Sequence, residues 1–279
     1  MKLIADSGTS YTDWLLLKDN GEREVIETGG INPYYQSSEA IFSEIEFSVV
    51  PAIGREIEEI YFYGAGCLLA GKASVVKYAL GRCFPKAKIE VNSNLLGAAR
   101  SLCGCCEGIV CVLETGSNSC LYDGKQILEQ TPSLGFVIGD EGGASYLGRQ
   151  LVADYFRGFQ PKSVSAKFKK AYELTREELL KNIYTKNFPN RYLGNFARFL
   201  SENIEEEYCY KLAYDCFLYF FQRNIYSYTN YKSQKIYFVG STAWFFQDVI
   251  QKVLKDEGLT LGYFLQKPIA RLAEFHSKK

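Results

Sequence analysis

The segment ETGSNSCLYDG, residues 114–124, has the residue types of a loop that binds phosphate. Thr115, Gly116 and Ser117 combine small or hydroxyl-bearing side chains with backbone N–H groups that an anion can reach. Glu114 adds a carboxylate at the start of the loop, and a carboxylate a few ångströms from a phosphate oxygen costs about 1–4 kcal/mol near a protein surface. We therefore predict a phosphate site with a repulsive neighbour, unless the Glu114 side chain turns away or helps to hold Mg²⁺.

A second loop of this kind, with Asp6, Gly8 and Thr9, lies near the start of the chain in DSGTSYTDW. The stretches KLIADSGTSYTDWLLLKDNGEREVIE and GIVCVLETGSNSCLYDGKQILEQ share one order: strand, small-residue loop, strand, Asn-Gly or Asp-Gly turn, strand. This duplication predicts two copies of one unit, whose loops could hold nucleotide phosphates across a cleft. The chain has neither a G-x-x-x-x-G-K-[ST] motif nor a G-x-G-x-x-G motif opening a helix.

The hydrophobic pattern alternates strands with helices, which indicates an α/β fold. Strands are predicted at residues 3–5, 14–17, 24–27, 59–66, 87–91, 108–113 and 235–241. Helices are predicted at residues 38–49, 70–82, 94–103, 142–156, 163–172, 175–184, 193–200, 206–228 and 242–255. The aromatic stripe YCYKLAYDCFLYFFQRNIYSY is expected in the core. Gly240 and Ser241 end the last predicted strand, at the carboxyl edge where α/β sheets bind ligands.

Composition excludes several classes of protein. The 279 residues carry 32 basic and 32 acidic side chains, a balance that argues against a nucleic-acid partner. No apolar run approaches the roughly 18 residues of a membrane span, and the start of the chain does not resemble a signal peptide. We therefore expect a cytoplasmic protein with neither a membrane nor a nucleic acid as partner.

Four of the nine cysteines cluster in LCGCCEGIVC, at positions 103, 105, 106 and 111. Zinc and iron–sulfur sites need matched pairs of cysteines or additional histidines. The pairs are not matched here, and His276 is the only histidine. The pattern favours structural or incidental thiols in a reducing compartment.

Five motifs, in the order DSGTSYTDW, NSNLLGAARSL, TGSNSCLYDG, GFVIGDEGG and FVGS, resemble the N-acetylglucosamine kinase branch of the hexokinase–actin superfamily. That branch also holds ATPase activators of anaerobic dehydratases and reductases. The resemblance extends from Leu3 to about His276. It implies an α/β fold of two ribonuclease-H-like, actin-like ATPase domains with an interdomain cleft. The domains would be residues 1–104, completed by a C-terminal helix at 266–279, and residues 105–265.

The resemblance also implies ATP and Mg²⁺ as cofactors, an amino sugar as substrate and a homodimer. Asp6 would act on Mg²⁺ through water, and Asn94 matches the position of the catalytic base. The positions that match nucleotide contacts are Asp6, Gly8, Thr9, Thr115, Gly116, Ser117, Gly240 and Ser241. The positions that match sugar contacts are Asn32, Asn118, Gly135 and Asp140.

Three residues depart from the family pattern around the phosphates and the base. Asn94 stands where the family has Asp, and an amide cannot take a proton at neutral pH; loss of a general base costs about 10²–10⁴ in rate. Tyr11 stands where the family has Lys, and Glu114 where it has Gly. Both changes are expected to weaken phosphate binding.

The sequence leaves four hypotheses. The chain is an ATP-dependent kinase of N-acetylglucosamine or a close relative, a non-catalytic binder of sugar or nucleotide, an ATPase activator of a redox enzyme, or an α/β scaffold whose loops are plain turns. The activator needs a cysteine that bridges an iron–sulfur cluster between subunits, which the cluster at positions 103–106 would have to supply.

Overall fold

The computed structural model describes residues 1–8 and 10–277. Thr9, which the sequence predicts in the first phosphate loop, lies outside the described residues. The chain divides into two compact units. Unit 1 contains Met1–Cys106, Gly124–Gln126 and Lys267–Lys279, and unit 2 contains Glu107–Asp123 and Ile127–Gln266.

Ten strands are present in the described residues. They are β1 Lys2–Ser7, β2 Tyr11–Leu17, β3 Arg23–Gly29, β4 Glu59–Gly64, β5 Lys88–Ser93, β6 Gly108–Leu113, β7 Ser117–Tyr122, β8 Ile127–Gln130, β9 Lys235–Val239 and β10 Thr260–Leu265.

Fourteen α-helical segments accompany these strands in the described part of the chain. They are α1 Ser38–Ser48, α2 Val50–Ile53, α3 Ala70–Cys83, α4 Asn94–Cys103, α5 Gly135–Ile138, α6 Ala144–Arg157, α7 Lys162–Tyr172, α8 Arg176–Thr185, α9 Pro189–Gly194, α10 Ala197–Glu202, α11 Glu207–Phe220, α12 Ser241–Phe245, α13 Gln247–Asp256 and α14 Ile269–Ser277. A π-helical turn, Phe221–Ile225, continues α11, and Tyr231–Ser233 forms a 3₁₀ turn.

Unit 1 contains a five-stranded sheet in the order β3-β2-β1-β4-β5. The hairpin strands β2 and β3 run antiparallel to their neighbours, and β1, β4 and β5 are parallel to one another. One face packs on α1 and α3 through a core that includes Trp14 and Phe62. The other face packs on α14, where Leu272 lies against a core containing Ile4 and Leu15.

Unit 2 repeats this sheet in the order β10-β9-β6-β7-β8. β6 and β7 pair antiparallel, and β6 is parallel to β9. Its core draws heavily on α11 and the π turn, including the fully buried Phe217, Phe220 and Phe221. The prediction that this aromatic stripe forms core is confirmed for these phenylalanines, whereas Tyr210 and Tyr219 of the same stripe are exposed.

The two strand orders confirm the predicted duplication. Read from the hairpin side, each sheet has its third, second, first, fourth and fifth strands in sequence order. The α/β class with two similar halves is therefore the observed architecture.

Three predicted elements differ from the structure. The helix predicted at 193–200 is two short helices, α9 and α10. The helix predicted at 242–255 is α12 and α13, separated at Phe246, whose backbone leaves the helical region while its ring stays buried. The helix predicted at 206–228 ends as a π turn at Ile225.

Strand β10 was not predicted, because Gly262 interrupts its apolar pattern. The structure supplies a reason for this glycine: a Cβ at position 262 would lie 2.3 Å from the Tyr237 ring on the neighbouring strand β9. Within the described residues, no helix combines the length and the apolar character that crossing a membrane requires.

Candidate functional site

In unit 1, the predicted site residues collect at one edge of the sheet. The parallel strands β1, β4 and β5 end in register, with Ser7 beside Gly64 and Gly64 beside Ser93. Asp6 is therefore at the carboxyl end of β1 and Gly8 follows it, while Asn94 follows β5 as the first residue of α4. Carboxyl ends of parallel strands are the usual ligand-binding edge of such a sheet.

Asn32 is held at the same edge through Ser7. The Ser7 hydroxyl donates to the Ile31 carbonyl at 3.1 Å and accepts from the Ile31 N–H at 3.0 Å. The Asn32 N–H donates to Oε1 of Gln36 at 2.8 Å, and its Oδ1 accepts from the Tyr34 N–H at 3.0 Å. These bonds fix the loop that carries Asn32 beside the end of β1.

Asn94 owes its position to a helix cap. Ser93 precedes α4 in an extended conformation, and its hydroxyl accepts from the Leu96 N–H at 3.3 Å. This serine cap fixes where the helix begins. The Asn94 side chain is half-buried at the first helical position.

Sequence analysis missed a charged group next to Asp6. Asp13 lies directly opposite Asp6 on β2 and is only 2% exposed. Lys267 places its ammonium 3.0 Å from Asp13 Oδ1 and 3.1 Å from Glu27 Oε2. Burial raises the pKa of Asp13, and the hydrogen bond from Lys267 opposes that rise.

The same lysine changes the interpretation of Tyr11. Its ammonium lies 4.8 Å from the centroid of the Tyr11 ring, within the range of a cation–π contact. The Lys267 ammonium therefore lies beside Tyr11, which follows the first loop, although Tyr11 itself carries no charge where the family has Lys. No local motif indicates it, because Lys267 is 254 positions from Asp13 in the chain.

In unit 2, three segments meet around the loop of Glu114–Ser117. The Glu114 carbonyl accepts from the Ala144 N–H and from the Thr242 hydroxyl, both at 2.8 Å. The Thr115 carbonyl accepts from the Ser145 N–H at 2.9 Å. The start of α6 and the start of α12 are thus both bonded to this loop.

Two glycines allow the close approach of these segments. A Cβ on Gly116 would lie 2.8 Å from Oδ2 of Asp140, and a Cβ on Gly143 would lie 2.7 Å from the Gly116 carbonyl carbon. Such distances leave no room for a side chain, so the GDEGG turn packs directly on the loop. The predicted residues Gly116, Ser117 and Asp140 are brought together.

Asp140 is strained and partly desolvated in this arrangement. Its φ is +60°, a region that residues other than glycine rarely adopt. Its Oδ1 lies 3.4 Å from the Ser117 nitrogen, a long hydrogen bond. Burial raises the pKa of Asp140 and the Glu141 carboxylate adds to the rise, while the Ser117 N–H and Arg149 oppose it.

The loop keeps donors that could bind an anion. Among the described residues, no group accepts the N–H of Thr115 or the N–H of Gly116. Two adjacent backbone N–H groups suit a phosphate oxygen.

Gly240 and Ser241 adjoin this loop at the ends of the parallel strands β6 and β9. Gly240 has a φ of +112°, and a Cβ there would lie 2.4 Å from the Leu113 carbonyl oxygen and 2.6 Å from Cγ of Glu114. The Glu114 side chain therefore packs against the Gly240 backbone. The predicted nucleotide residues of unit 2 share one edge of its sheet.

Of the two remaining predicted residues, Asn118 lies at the same edge, opposite Val112 near the end of β6, whereas Gly135 lies outside the sheet on α5. Asn118 follows Ser117 on β7, and its Oδ1 accepts from the Ser119 N–H at 2.9 Å and from Gln130 Nε2 at 3.3 Å. Its NH₂ group is the part it can offer to a ligand. Gly135 begins α5 with a φ of +74°, and a Cβ there would meet no described atom within 4 Å apart from its neighbours in the chain and the backbone of its own helix.

Arg149, which the sequence did not indicate, holds the segment between Gly135 and Asp140. Its Nη1 donates to the carbonyls of Phe136 and Val137, at 2.7 and 3.0 Å. The side chain extends from α6, whose start is bonded to the phosphate loop. Arg149 thereby ties α5 to the same scaffold as the loop.

Solved structures similar to this one include several kinases. A crystal structure of a candidate N-acetylglucosamine kinase from Porphyromonas gingivalis matches all of this chain and 99% of its own, with 39% sequence identity and a TM-score of 0.95. A candidate N-acetylglucosamine kinase from Chromobacterium violaceum matches 98% of each chain at 15% identity, with a TM-score of 0.72. A ROK family glucokinase from Streptomyces griseus, solved with glucose and AMPPNP, matches 100% of this chain and 99% of its own at 12% identity, with a TM-score of 0.55.

The second and third similarities concern the fold alone, whereas the first extends to sequence over the full length. No protein-family model matches the chain, and no curated protein matches it.

Proposed function

Because the chain belongs to the sugar kinases with the actin-like ATPase fold, we propose that it transfers the γ-phosphoryl group of ATP to a hydroxyl of an amino sugar, N-acetylglucosamine or a close relative. The observation that carries this proposal is the 39% identity, over the full length, to a candidate N-acetylglucosamine kinase. The convergence of glycine-rich loops at the carboxyl edge of each sheet supports it.

The phosphates of ATP would bind to backbone donors. In unit 2, the N–H groups of Thr115 and Gly116 are open to an anion, and Gly240 and Ser241 adjoin them for the nucleoside side. In unit 1, the family resemblance implies a second phosphate loop with Gly8 and Thr9; the Gly8 N–H donates to the Tyr11 carbonyl at 3.0 Å, so it holds this loop together and is not an open donor. When bound with ATP, Mg²⁺ neutralises charge on the β- and γ-phosphates.

The residues present fit a magnesium–nucleotide complex. Asp6 places a carboxylate at the end of β1, where it would hold Mg²⁺ through water. Lys267 offsets the charges of Asp13 and Glu27 next to it. The family resemblance supports sugar contacts by Asn32 in unit 1, and by Asn118, Asp140 and the backbone at Gly135 in unit 2, whose amide, carboxylate and peptide groups suit hydroxyls.

Asn94 decides how fast the reaction runs. Phosphoryl transfer depends mainly on positioning and on charge stabilisation, so turnover survives the loss of a base at a reduced level. An amide at position 94 can orient the sugar hydroxyl but cannot accept its proton. We expect restoration of a carboxylate to raise the rate by about 10²–10⁴.

The test compares the wild type with Asn94→Asp in an ADP-release assay, with N-acetylglucosamine and MgATP as substrates. Asn92→Asp is the matched control, because Asn92 is also half-buried and lies two residues earlier, on strand β5, which ends at Ser93 just before Asn94. We expect the gain in kcat from Asn94→Asp and no gain from Asn92→Asp. Equal kcat in all three proteins would contradict a base position at residue 94.

A non-catalytic binder is the second candidate function, and Asn94 is the observation that favours it. In that case wild type and Asn94→Asp would both bind MgATP and the sugar, without measurable transfer. Calorimetric titration of each ligand separates the two functions. Failure of both ligands to bind would contradict the kinase and the binder alike.

We further propose a cytoplasmic homodimer. The family resemblance supports a dimer, and large exposed apolar side chains such as Phe159 and Phe245 could be buried at an interface between two copies. Light scattering on the purified chain would show about twice the mass of 31.6 kDa, and a monomer at micromolar concentration would contradict the proposal.

A further inference from the structure

The turn Cys103–Cys106, of sequence CGCC, has no part in the proposed kinase chemistry. Helix α4 ends at Cys103, and Gly104 continues with a φ of +59°. The Cys106 N–H donates to the Cys103 carbonyl at 2.9 Å and closes a four-residue turn. The end residues of such a turn have Cα atoms within about 7 Å, and disulfides span about 4.4–6.8 Å between Cα atoms.

The two ends of this turn differ in their access to solvent. Cys103 is 7% exposed, whereas Cys105 and Cys106 are exposed, and all three carry free thiols. Burial raises the pKa of Cys103 to about 12, and the neighbouring Cys106 thiol adds to the rise. The two thiols are therefore close to each other, with Cys106 as the accessible one.

Cys105 is a poorer partner for either neighbour. A bond between Cys105 and Cys106 would have to span one planar peptide unit, which strains the ring it closes. The Cys105 carbonyl also packs closely against Gly124, since a Cβ on Gly124 would lie only 2.3 Å from the Cys105 carbonyl oxygen. The geometry favours Cys103 with Cys106.

We propose that Cys103 and Cys106 form a dithiol site that reacts with low-molecular-weight disulfides and closes to an intramolecular disulfide. The Cys106 thiolate attacks one sulfur of the reagent, forms a mixed disulfide and releases one thiolate. Cys103 then loses its proton to solvent and attacks the Cys106 sulfur, releasing the second thiolate. The protein loses two electrons and two protons, and the reagent is reduced to two thiols.

The closed turn would cross-link the last turn of α4 to the segment that leads into β6. This consequence is independent of the proposed kinase activity, because it concerns the opposite end of α4 from Asn94. Cys111, the fourth cysteine of this part of the sequence, differs from the pair because it is buried in β6, whereas Cys106 is exposed.

The test incubates the folded, full-length protein with oxidised glutathione, alkylates the remaining thiols in denaturant, and measures the mass of the whole chain. In wild type and in Cys105→Ser, Cys103 and Cys106 are expected to become resistant to alkylation and to carry no glutathione, as located by peptide mapping. Cys103→Ser is expected to retain glutathione on Cys106, located by peptide mapping, because the one thiol that remains beside it, Cys105, could displace it only by closing the strained ring between adjacent residues.

Two results would overturn the proposal. One is a wild type that keeps all its thiols or retains a glutathione adduct on Cys106. The other is a Cys106→Ser variant that still forms an intramolecular disulfide. Circular dichroism of the serine variants confirms that each is folded, and peptide mapping of oxidised wild type identifies the bonded pair.

Discussion

At the residue scale, the charges around the two loops govern the chemistry. Glu114 is the first residue of the loop of Glu114–Ser117 and packs against Gly240, and the Asp140 carboxylate lies against Gly116 of the same loop. In unit 1, Asp13 adds a buried carboxylate beside Asp6, compensated by Lys267. Each of the two proposed phosphate loops therefore has more negative charge around it than its glycine-rich sequence suggests, and each charge can be tested singly.

Removal of the Glu114 charge is expected to tighten nucleotide binding. Glu114→Gln keeps the packing against Gly240 and removes the repulsion, so the Kd of MgATP should fall by at least about fivefold, corresponding to about 1 kcal/mol. Calorimetric titration measures it, with Glu114→Asp as the control that keeps the charge. An unchanged Kd in Glu114→Gln would show that this carboxylate points away from the phosphates or binds Mg²⁺.

Asp140 is expected to lower stability at neutral pH. Because burial raises its pKa, the folded state binds more protons than the unfolded state between the unfolded and folded pKa values. The free energy of unfolding therefore falls as pH rises through that window and stays low above it. Asp140→Asn imitates the protonated form, so it should be more stable than wild type above the window and should match it below.

Urea unfolding of both proteins from pH 3 to 8 tests this expectation. The pKa of Asp13 is raised as well, but Asp13 is present in both proteins, so its contribution cancels in the difference between their free energies of unfolding. The variant should also bind the sugar more weakly, since a carboxylate accepts stronger hydrogen bonds from hydroxyls than an amide does. An Asp140→Asn protein that is less stable at neutral pH would contradict the argument.

At the element scale, helix starts place the site residues. α4 begins at Asn94 because Ser93 caps it, and α6 and α12 begin where their first residues bond to the Glu114–Ser117 loop. Each of these helices is thus positioned by hydrogen bonds at its N-terminal end, next to residues that are predicted to bind the ligands. Substitutions that remove these hydrogen bonds should lower activity more than substitutions elsewhere that reduce the free energy of unfolding by the same amount.

A pair of serine caps tests this difference. Ser93 caps α4 and Ser37 caps α1, each accepting from a backbone N–H three residues later, at 3.3 and 3.2 Å. Replacement of either by Ala should cost about 1 kcal/mol of stability. Only Ser93→Ala should lower kcat, measured in the Asn94→Asp background if wild-type turnover is too slow. An equal effect on kcat from Ser37→Ala would argue against local positioning.

At the scale of the whole molecule, the end of the chain completes the unit that the beginning starts. α14 packs against β1 and β2 with Leu272 fully buried, and the Tyr63 hydroxyl lies 2.8 Å from His276 Nε2. Lys267 precedes this helix and pairs with Asp13 on β2. The fold of unit 1 therefore depends on contacts between residues more than 200 positions apart.

The last helix is expected to be essential to the stability of unit 1. Leu272→Ala should destabilise the protein by about 2–5 kcal/mol, because it leaves a cavity against Ile4 and Leu15. Glu274→Ala, at an exposed position of the same helix, should change stability by less than about 0.5 kcal/mol. Urea unfolding monitored by tryptophan fluorescence compares them, and similar midpoints for both variants would contradict the packing role of α14.

The sequence by itself determined the local and repeated features of this protein. Alternating apolar residues, Asn-Gly and Asp-Gly turns and helix-cap signals depend on near neighbours, so the two hairpins, most strands and the start of α4 were predictable. The duplication was also visible, because it repeats a whole order of elements. Strand β10, by contrast, was not predictable, because Gly262 interrupts its apolar pattern. The sequence does not show that a glycine is needed there to make room for the Tyr237 ring on the adjacent strand.

Only the tertiary structure decided which distant groups meet. Lys267 beside Tyr11, Asp140 against Gly116, and Arg149 on the carbonyls near Gly135 join residues without any local signature. Burial, which raises the pKa values of Asp13 and Asp140, is likewise a property of packing rather than of neighbours in the chain. Periodicity reports which face of an element is buried, whereas the identity of what it is buried against arises only when the elements pack.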